Sequence, residues 1–566
     1  MPAQLQINQG PQDALLYDNS KSFFNPLTYQ RTSNFQMELK DVTSNTSSQP
    51  TFGGTQRFVI PKAADLLGPV DLLVELEHDD FTKADLMNTY KAADAVGASD
   101  DSANAIVGLV EAFGYAMIDT IEFKVGLSSV ETITGDQLYI MNELYKDDDH
   151  RLSSNTIGKS GRPLVYYEPT ATAPGAKLPE GGSTRYDNGG RVIAHGVTGG
   201  CTNYAPKRLI IPLNFFFTKG PGHYFPLAAI AGCNDIEVIV KFRSIKELLL
   251  AKSDLPLLNG AVGTARTPNA MIDVSKKVKM KTSKLRCHYI HVTGPEATFL
   301  MNKEQVRLMQ PWAHKDFIKK LSCKSSSHVA EKIQLDLPFM HPVKELIIVI
   351  RKASEIGSTW DTTPAPGTQD QGSRTRNRFA FHGGNKDPNP ESTINCYKTG
   401  STAATSAYLE VLGFQVKLNS NSRHPDLEAW TSVPESGTTD LSSSMQLDRQ
   451  YLMERLQPMY HTNSKAPYAQ LGSSASDSQT LKDFSALSEM FDRKEIYCFP
   501  FSISPESTQP AGAVNFSKVH NATLEIQLIP KIQAGGPTDV DFQIDVYALH
   551  YNWLMIKDGA ATMSFS

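Results

Sequence analysis

The sequence predicts an all-β protein made of two related antiparallel sandwiches. Three observations carry this. Short segments that alternate between polar and apolar residues recur along the chain, and helical spacing is scarce. The composition, with 26 Phe, 20 Tyr, 38 Gly and 33 Pro in 566 residues, suits strands joined by many turns. A unit near the middle of the chain recurs close to the C-terminus, about half the chain away.

That unit is Leu209 to Arg243, LIIPLNFFFTKGPGHYFPLAAIAGCNDIEVIVKFR. An apolar run to Phe217 is broken by Lys219–Gly222, Pro226 opens a second short run, and Ile236, Val238, Val240 and Phe242 then alternate with polar neighbours. This reads as strand, punctuated connection, strand. Ile496 to Leu528 has the same plan: Pro500 stands for Pro212, the connection Pro505–Gly512 follows, Asn521 stands for Asn234, and Leu524, Ile526 and Leu528 alternate. The Pro-to-Asn spacing agrees between the copies to within one residue. The unbroken Phe215-Phe216-Phe217 run predicts burial on both faces of a strand.

In chain order, residues 1–32 read as an N-terminal arm that orders only when something packs on Phe23, Phe24 or Tyr29. Strands are expected at Phe35–Leu39, at Asp65–Glu77 with Leu72, Val74 and Leu76 inward, and at Tyr115–Val125 with Ile121, Phe123 and Val125 inward. Gln137–Tyr145 has helical spacing. Val274–Val292 returns to strand, and Glu296–Met309 reads as a short helix and linker. The second half offers strands at Phe317–Cys323, Val329–Leu337, Val343–Arg351, Tyr408–Leu418 and Asp541–Met555. Polar, Gly- and Pro-rich stretches read as surface loops: about 78–110, 147–205 and 249–270 in the first half, and 353–406, 421–448 and 462–488 in the second.

Bulk properties narrow the function. A net charge of −5 gives no global attraction for a polyanion, so sequence-specific nucleic-acid binding is not expected. The six cysteines, Cys201, Cys233, Cys287, Cys323, Cys396 and Cys498, are dispersed without a CxxC pair, which favours reduced thiols over a disulfide framework or zinc site. The N-terminus lacks the pattern of a secretory signal, and no apolar run reaches the ~18–20 residues of a membrane span. Asn45, Asn515 and Asn521 each begin an N-x-S/T triplet, which reads as chance in a chain of this kind.

No catalytic, metal or cofactor constellation emerges. Gly158-Lys159-Ser160 lacks the leading glycine of a phosphate loop, and there is no GxSxG elbow. The acidic groups Glu75, Glu77, His78, Asp79 and Asp80, and Asp147–Asp149 with His150, lack the spacing of a calcium loop and read as solvated strand ends or loops. His288 and His291 are three apart on a strand and face opposite sides. The basic run Lys276, Lys277, Lys279, Lys281, Lys284 and Arg286 reads as a solvated face or a contact with an acidic neighbouring chain. A structural or binding protein is therefore expected rather than an enzyme.

Several further segments stand out in order: YQRTSNF (Tyr29–Phe35), ADLL (Ala64–Leu67), IDTIEFKVG followed by GDQ (Gly135–Gln137), and IPLNFFF with EVIVKFR. HPVKELIIVI (His341–Ile350), LQPMYHT (Leu456–Thr462), QPAGAVNFSKVHNATL (Gln509–Leu524) and VYALHYNWLMIKDG (Val546–Gly559) complete the set. Together and in this order they resemble the major capsid proteins of nucleocytoplasmic large DNA viruses, a family that usually has an aromatic where this chain has Gln137. The resemblance implies two consecutive eight-stranded jelly rolls, at about 33–295 and 305–566. It also implies a homotrimer forming a pseudo-hexagonal capsomer of an icosahedral virion. Its partners would be neighbouring capsomers, minor capsid and penton proteins and an inner viral membrane, with synthesis and assembly in the host cytoplasm. No cofactor is implied. Residues expected in the core or at trimer contacts are Pro212, Phe215, Phe216, Phe217, Pro226, Asn234, Pro500, Phe501, Asn515, Phe516, Asn521, Tyr551 and Trp553. Two other readings fit a tandem jelly roll: a carbohydrate-binding or carbohydrate-active protein, and a minor capsid component of the same lineage.

Overall fold

The computed structural model describes chiefly residues 35–46, 49–78, 105–110, 112–144, 208–230, 234–253, 278–293, 295–301, 304–323, 331–353, 407–423, 496–532 and 538–564. It adds short pieces at 163–167, 185–186, 192–193, 201–203 and 373–374, and around Phe379 and Phe381. The arm 1–32, Asp79, Asp80, Asp147–His150, Gly158–Ser160, Lys276, Lys277, Cys233, Cys396, LQPMYHT and the loops beyond Arg423 up to 495 lie outside the described residues.

Eight strands form the first sandwich: β1 (Phe35–Thr43), β2 (Thr55–Ile60), β3 (Leu66–His78), β4 (Ile118–Val125), β5 (Ser128–Thr134), β6 (Arg208–Leu213), β7 (Ile236–Phe242) and β8 (Val278–Val292). They pair antiparallel in two sheets, ordered β1-β8-β3-β6 and β2-β7-β4-β5. Eight more form the second: β9 (Trp312–Cys323), β10 (Glu331–Asp336), β11 (Pro342–Lys352), β12 (Ala407–Leu418), β13 (Asn421–Ser422), β14 (Ile496–Pro500), β15 (Ala522–Ile532) and β16 (Thr538–His550). Their sheets are ordered β9-β16-β11-β14 and β10-β15-β12-β13. Adding eight to each label of the first sandwich gives the second. Both are jelly rolls.

The internal repeat is visible as structure. In the first roll β6 leads to a two-residue strand, Phe225–Pro226, on β3, then to a 3-10 turn, Leu227–Ala229, then to β7. In the second, β14 leads to Val514–Asn515 on β11, then to the turn Phe516–Lys518, then to β15. Pro212 lies opposite Asp71 and Pro500 opposite Glu345. Both prolines sit on edge strands, where a missing N–H breaks no central ladder.

Period-two patterning builds the walls. In β3, Leu67, Val70, Leu72, Val74 and Leu76 are buried, and in β4 so are Ile121, Phe123 and Val125. In β11 the run Leu346–Ile350 is buried without alternation. Leu346, Ile348 and Ile350 enter the second roll's core, whereas Ile347 and Val349 join the core of the first. This sheet is sandwiched between the two rolls, which explains a continuous apolar strand in an antiparallel sheet.

Four expectations need correction. Tyr115 is not on a strand: Phe113–Ala116 forms a helical turn, α1, and β4 begins only at Ile118. Phe215–Phe217 is not on a strand either. Beyond Leu213 the chain turns, and all three rings swing inward around Phe123, with centroids 5.5, 6.3 and 5.1 Å from it. The stretches 78–110, 147–205, 249–270 and 353–406 are not wholly loop. Within them Ala105–Leu109, Pro163–Tyr167, Cys201–Asn203, Leu249–Ser253 and Ser373–Arg374 build one further five-stranded sheet. Asp541–Met555 is two strands, β16 and Asn552–Lys557.

The linker is itself structured. After a short helix, Pro295–Leu300, the strand Gln305–Met309 pairs with Asn552–Lys557, which pairs with Ala560–Met563. The inner face of this linking sheet, Met309, Leu554, Ile556 and Ala561, is buried in the first roll's core cluster. Asn234 Nδ2 donates to the Gly559 carbonyl at 2.8 Å, fastening the tip of the C-terminal hairpin to the first roll.

Candidate functional site

The most heavily constrained polar residues lie on the seam between the rolls. Helix α2 (Gly135–Leu144) follows β5 directly, and Thr134 Oγ1 accepts the Gln137 N–H at 3.2 Å, capping it. A Cβ on Gly135 would stand 2.1 Å from the Tyr115 carbonyl oxygen and 2.5 Å from that of Ile118, so only glycine fits. That close approach sets Asp136 on the seam.

The Asp136 carboxylate accepts from Arg378 Nε at 2.6 Å and Nη2 at 2.9 Å, and from Arg351 Nη2 at 2.8 Å. Arg243 Nη2 lies 3.6 Å away, and Arg243 Nη1 donates to the Ala116 carbonyl. Arg351, on the outward face of β11, also donates to Asp545 of β16 at 2.8 Å. Asp545 in turn accepts from His314 Nε2 at 3.0 Å and Gln543 Nε2 at 2.7 Å. Burial opposes the charge on Asp136, but the guanidinium groups of Arg351, Arg378 and Arg243 outweigh it and hold its carboxyl well below the usual range. Burial likewise opposes the Asp545 charge, and His314 and Arg351 more than offset it. Aromatic rings wall the network. Tyr139 stacks on Phe379 at 4.1 Å, and the Phe381 ring lies 5.6 Å from the Arg351 guanidinium.

A second polar group joins the two copies of the repeat. Lys219, in the first copy's connection, donates to Gln310 Oε1 at 2.8 Å. Gln310 Nε2 donates to the carbonyls of Ser507 and Thr508, in the second copy's connection, and Lys344 Nζ also donates to Ser507 O at 2.8 Å. Lys344 sits 5.2 Å from the Tyr551 ring centroid. Glu131 accepts the Phe216 N–H at 2.9 Å. Burial raises Glu131 to about 7 and lowers Lys344 to about 8. These groups fasten two domains together and offer no nucleophile, base and oxyanion donor around a common point.

The residues singled out from sequence divide into groups. Phe215, Phe216, Phe217 and Phe516 are buried, Pro226 is buried beside Phe225, and Pro212 and Pro500 are half-buried on edge strands. Phe501 packs on Phe516 at 6.0 Å, and Asn515 accepts the Ser517 N–H in the 3-10 turn. Asn234 bridges the rolls, while the exposed Asn521 holds Asn419 through its backbone. Tyr551 is half-buried and Trp553 is 43% exposed, so Trp553 is not a core residue of this chain. His288 lies 3.7 Å from Asp71 and His291 3.2 Å from Glu38, and Glu75 faces Arg208 and Lys281. Among the described residues Cys287, Cys323 and Cys498 are buried thiols outside any disulfide, and no helix is long and apolar enough to cross a membrane.

Sequence reasoning missed Asp136, Arg351, Arg378 and Asp545 as a group. The available signal was a charge at an outward position inside an apolar strand, as in IIVIRK and FQIDVYALH.

Comparison with known proteins fits this two-roll plan. Residues 22–292 match the family model for the major capsid protein N-terminus, and residues 306–562 match that for the large eukaryotic DNA virus major capsid protein. The chain belongs to the major capsid proteins of large eukaryotic DNA viruses. This capsid chain is 24% identical to the major capsid protein of Phaeocystis pouchetii virus, across 99% of itself and 98% of that relative. It is 22% identical to that of Chrysochromulina ericina virus, with the same coverage. Its fold is similar to that of PBCV-1 VP54, with a TM-score of 0.54 and 15% identity, covering 96% of this chain and 100% of that one. The Faustovirus major capsid protein gives 0.52 and 12%, covering 98% and 96%. The capsid chain's seam thus fastens the two rolls of a structural protein and is not an active site.

Proposed function

We propose that this capsid chain forms a homotrimer whose six rolls give a pseudo-hexagonal capsomer, and that capsomers tile an icosahedral shell. One observation carries the proposal: equivalent sheets are unequally covered. The outer face of β9-β16-β11-β14 is buried against the first roll, through Ile347, Val349, Cys498 and Leu549. The equivalent face of β1-β8-β3-β6 is open. There Leu73 and Ile210, opposite one another, hold the places that Ile347 and Cys498 hold in the second roll, and Ile210 is 42% exposed. That open face can receive the second roll of another copy. A head-to-tail contact of this kind closes into a ring or runs on as a filament, and three copies give a ring of six rolls. The Arg286–Asp41 and Arg208–Glu75 pairs give the face the polar character of an interface between separately folded chains.

On the same reading the first roll spans about 33–295 and the second 305–566, and the buried residues singled out from sequence serve the core that presents this face. The partners are neighbouring capsomers, minor capsid and penton proteins and an inner viral membrane, with synthesis and assembly in the host cytoplasm. Sedimentation of the purified chain tests the trimer. The expected species contains three chains of 62.3 kDa. A double variant, Leu73→Arg with Ile210→Arg, is expected to be monomeric with an unchanged circular-dichroism spectrum. A wild-type chain that stays monomeric at every concentration refutes the trimer, and a trimeric double variant moves the interface elsewhere.

A further inference from the structure

Both strands that leave the second roll for the linking sheet cross at one joint. On one of them Gln310 and Pro311 separate Met309 from Trp312 of β9. On its neighbour Tyr551 separates His550, the last residue of β16, from Asn552. His550 sits inside this joint, 7% exposed and opposite Val343 of β11. Its backbone N–H donates to the Pro311 carbonyl at 3.2 Å, and the Tyr551 N–H donates to the Pro342 carbonyl at 2.9 Å. Its ring stacks on that of His341, with centroids 5.2 Å apart and planes 30° from parallel. His341 is held in turn at a φ of 70°, its N–H donating to Ser517 Oγ and its carbonyl accepting the Phe516 N–H. Two histidines thus stand face to face where the second roll meets the sheet that closes the first.

We infer that the His341–His550 stack is an acid-sensitive latch: with both rings neutral it keeps the joint closed, and protonation of His550 frees the linking sheet from the flank of the first roll. The joint accommodates a neutral ring and offers little to a charged one. Nδ1 of His550 lies a long 3.5 Å from the Ala548 carbonyl oxygen. The ion pairs of histidine among the described residues belong to His288, His291 and His314, and His550 has none. On the elements packed around it, Lys344 of β11 is turned to the Ser507 carbonyl, Glu345 lies opposite Leu549, and Lys518 ends the nearby 3-10 turn. Burial lowers His550 from 6.5 to about 4; the Ala548 carbonyl opposes this and a charge on His341 adds to it. The contribution of His550 to holding the joint is therefore full above about 6.5 and is lost as pH falls toward 4. The ring can be hydrated as a cation only by leaving the joint, which strains the hydrogen bonds to Pro311 and Pro342. Those bonds anchor the sheet that buries Met309, Leu554, Ile556 and Ala561 against the first roll.

Methionine oxidation by dilute hydrogen peroxide, read by mass spectrometry on the full chain at pH 7 and pH 4.5, tests this. Met309 on the linking sheet reports the latch and Met117 in the first roll's core reports unfolding; they are 1% and 0% exposed. Oxidation of Met309 is expected to be several-fold faster at pH 4.5 than at pH 7, with Met117 unchanged. His550→Phe keeps a ring that takes no proton and should hold Met309 at its pH 7 rate. His341→Asn, at a φ that asparagine tolerates, should give a smaller rise than wild type, and it decides the matter if His550→Phe does not fold. A Met309 rate indifferent to pH overturns the inference. An equal rise at Met309 and Met117 also overturns it, because the chain then unfolds as a whole. An undiminished rise in the variants does the same, because another group is then the one that titrates. The latch lies within one chain, so a failed trimer leaves this readout intact.

Discussion

Arg351 of the second roll and Asp136 of the first share a 2.8 Å hydrogen bond in the interior of the seam, with neither side chain more than 5% exposed. The pair joins positions far apart in sequence. It couples the helix that follows β5 to the middle sheet of the neighbouring roll.

Breaking this pair from one side should be costly. Asp136→Asn leaves Arg351, Arg378 and Arg243 buried with one carboxylate fewer, so a loss on the order of 3–5 kcal/mol is expected. Arg351→Met should cost a similar amount, because Asp136 and Asp545 both lose a donor. The two changes together should cost less than their sum. Denaturant unfolding of both single variants and the double variant measures the coupling, and strict additivity would refute the pairing.

Gly135 leaves no room for substitution. Gly135→Ala drives a methyl group into two backbone carbonyls, neither of which can rotate away, and should cost about 3 kcal/mol or more. The melting temperature should fall, with the loss largest in amide-exchange protection of α2. An unperturbed melt would mean that the β5–α2 corner is built differently.

The pH response of the second polar group has a defined sign. Glu131 has its carboxyl raised by burial from 4.5 to about 7 in the fold, so its stabilising contribution is full below about 4.5 and is lost as pH rises through 7. Glu131→Gln should therefore flatten the decline between pH 4.5 and 7. It should leave the variant more stable than wild type at pH 8, by on the order of 2 kcal/mol. Melting temperatures across pH 4 to 10 check this, and an unchanged slope in the variant would reject Glu131 as the titrating group.

Phe216 belongs to the ring cluster around Phe123, so Phe216→Ser removes a buried ring and leaves a hydroxyl among phenyl groups. A loss of about 3–5 kcal/mol and a fall in soluble yield are expected. Soluble protein with a wild-type melt would place this ring outside the core.

Much of the architecture was legible because alternation is a local signal. β3, β4, β7 and β15 announce their inward faces residue by residue. The strand β2, TQRFVI, was passed over because six residues bounded by polar loop carry too short an alternation. β5, SSVETIT, hides among serines and threonines. Phe215–Phe217 misled because a tight turn can bury three consecutive rings as fully as a strand between two layers can. The seam was least legible of all. Asp136, Arg351, Arg378 and Asp545 converge only after both rolls have formed and docked, and no local pattern encodes that meeting.

The linking sheet has a consequence for biosynthesis. Its first strand, Gln305–Met309, is made midway through translation, but its partners, Asn552–Lys557 and Ala560–Met563, are the last described strands to leave the ribosome. Leu554, Ile556 and Ala561 complete the first roll's core cluster, and Gly559 supplies the acceptor for Asn234. A nascent chain therefore cannot finish its first domain before its second, so a truncated product carries an unsealed flank.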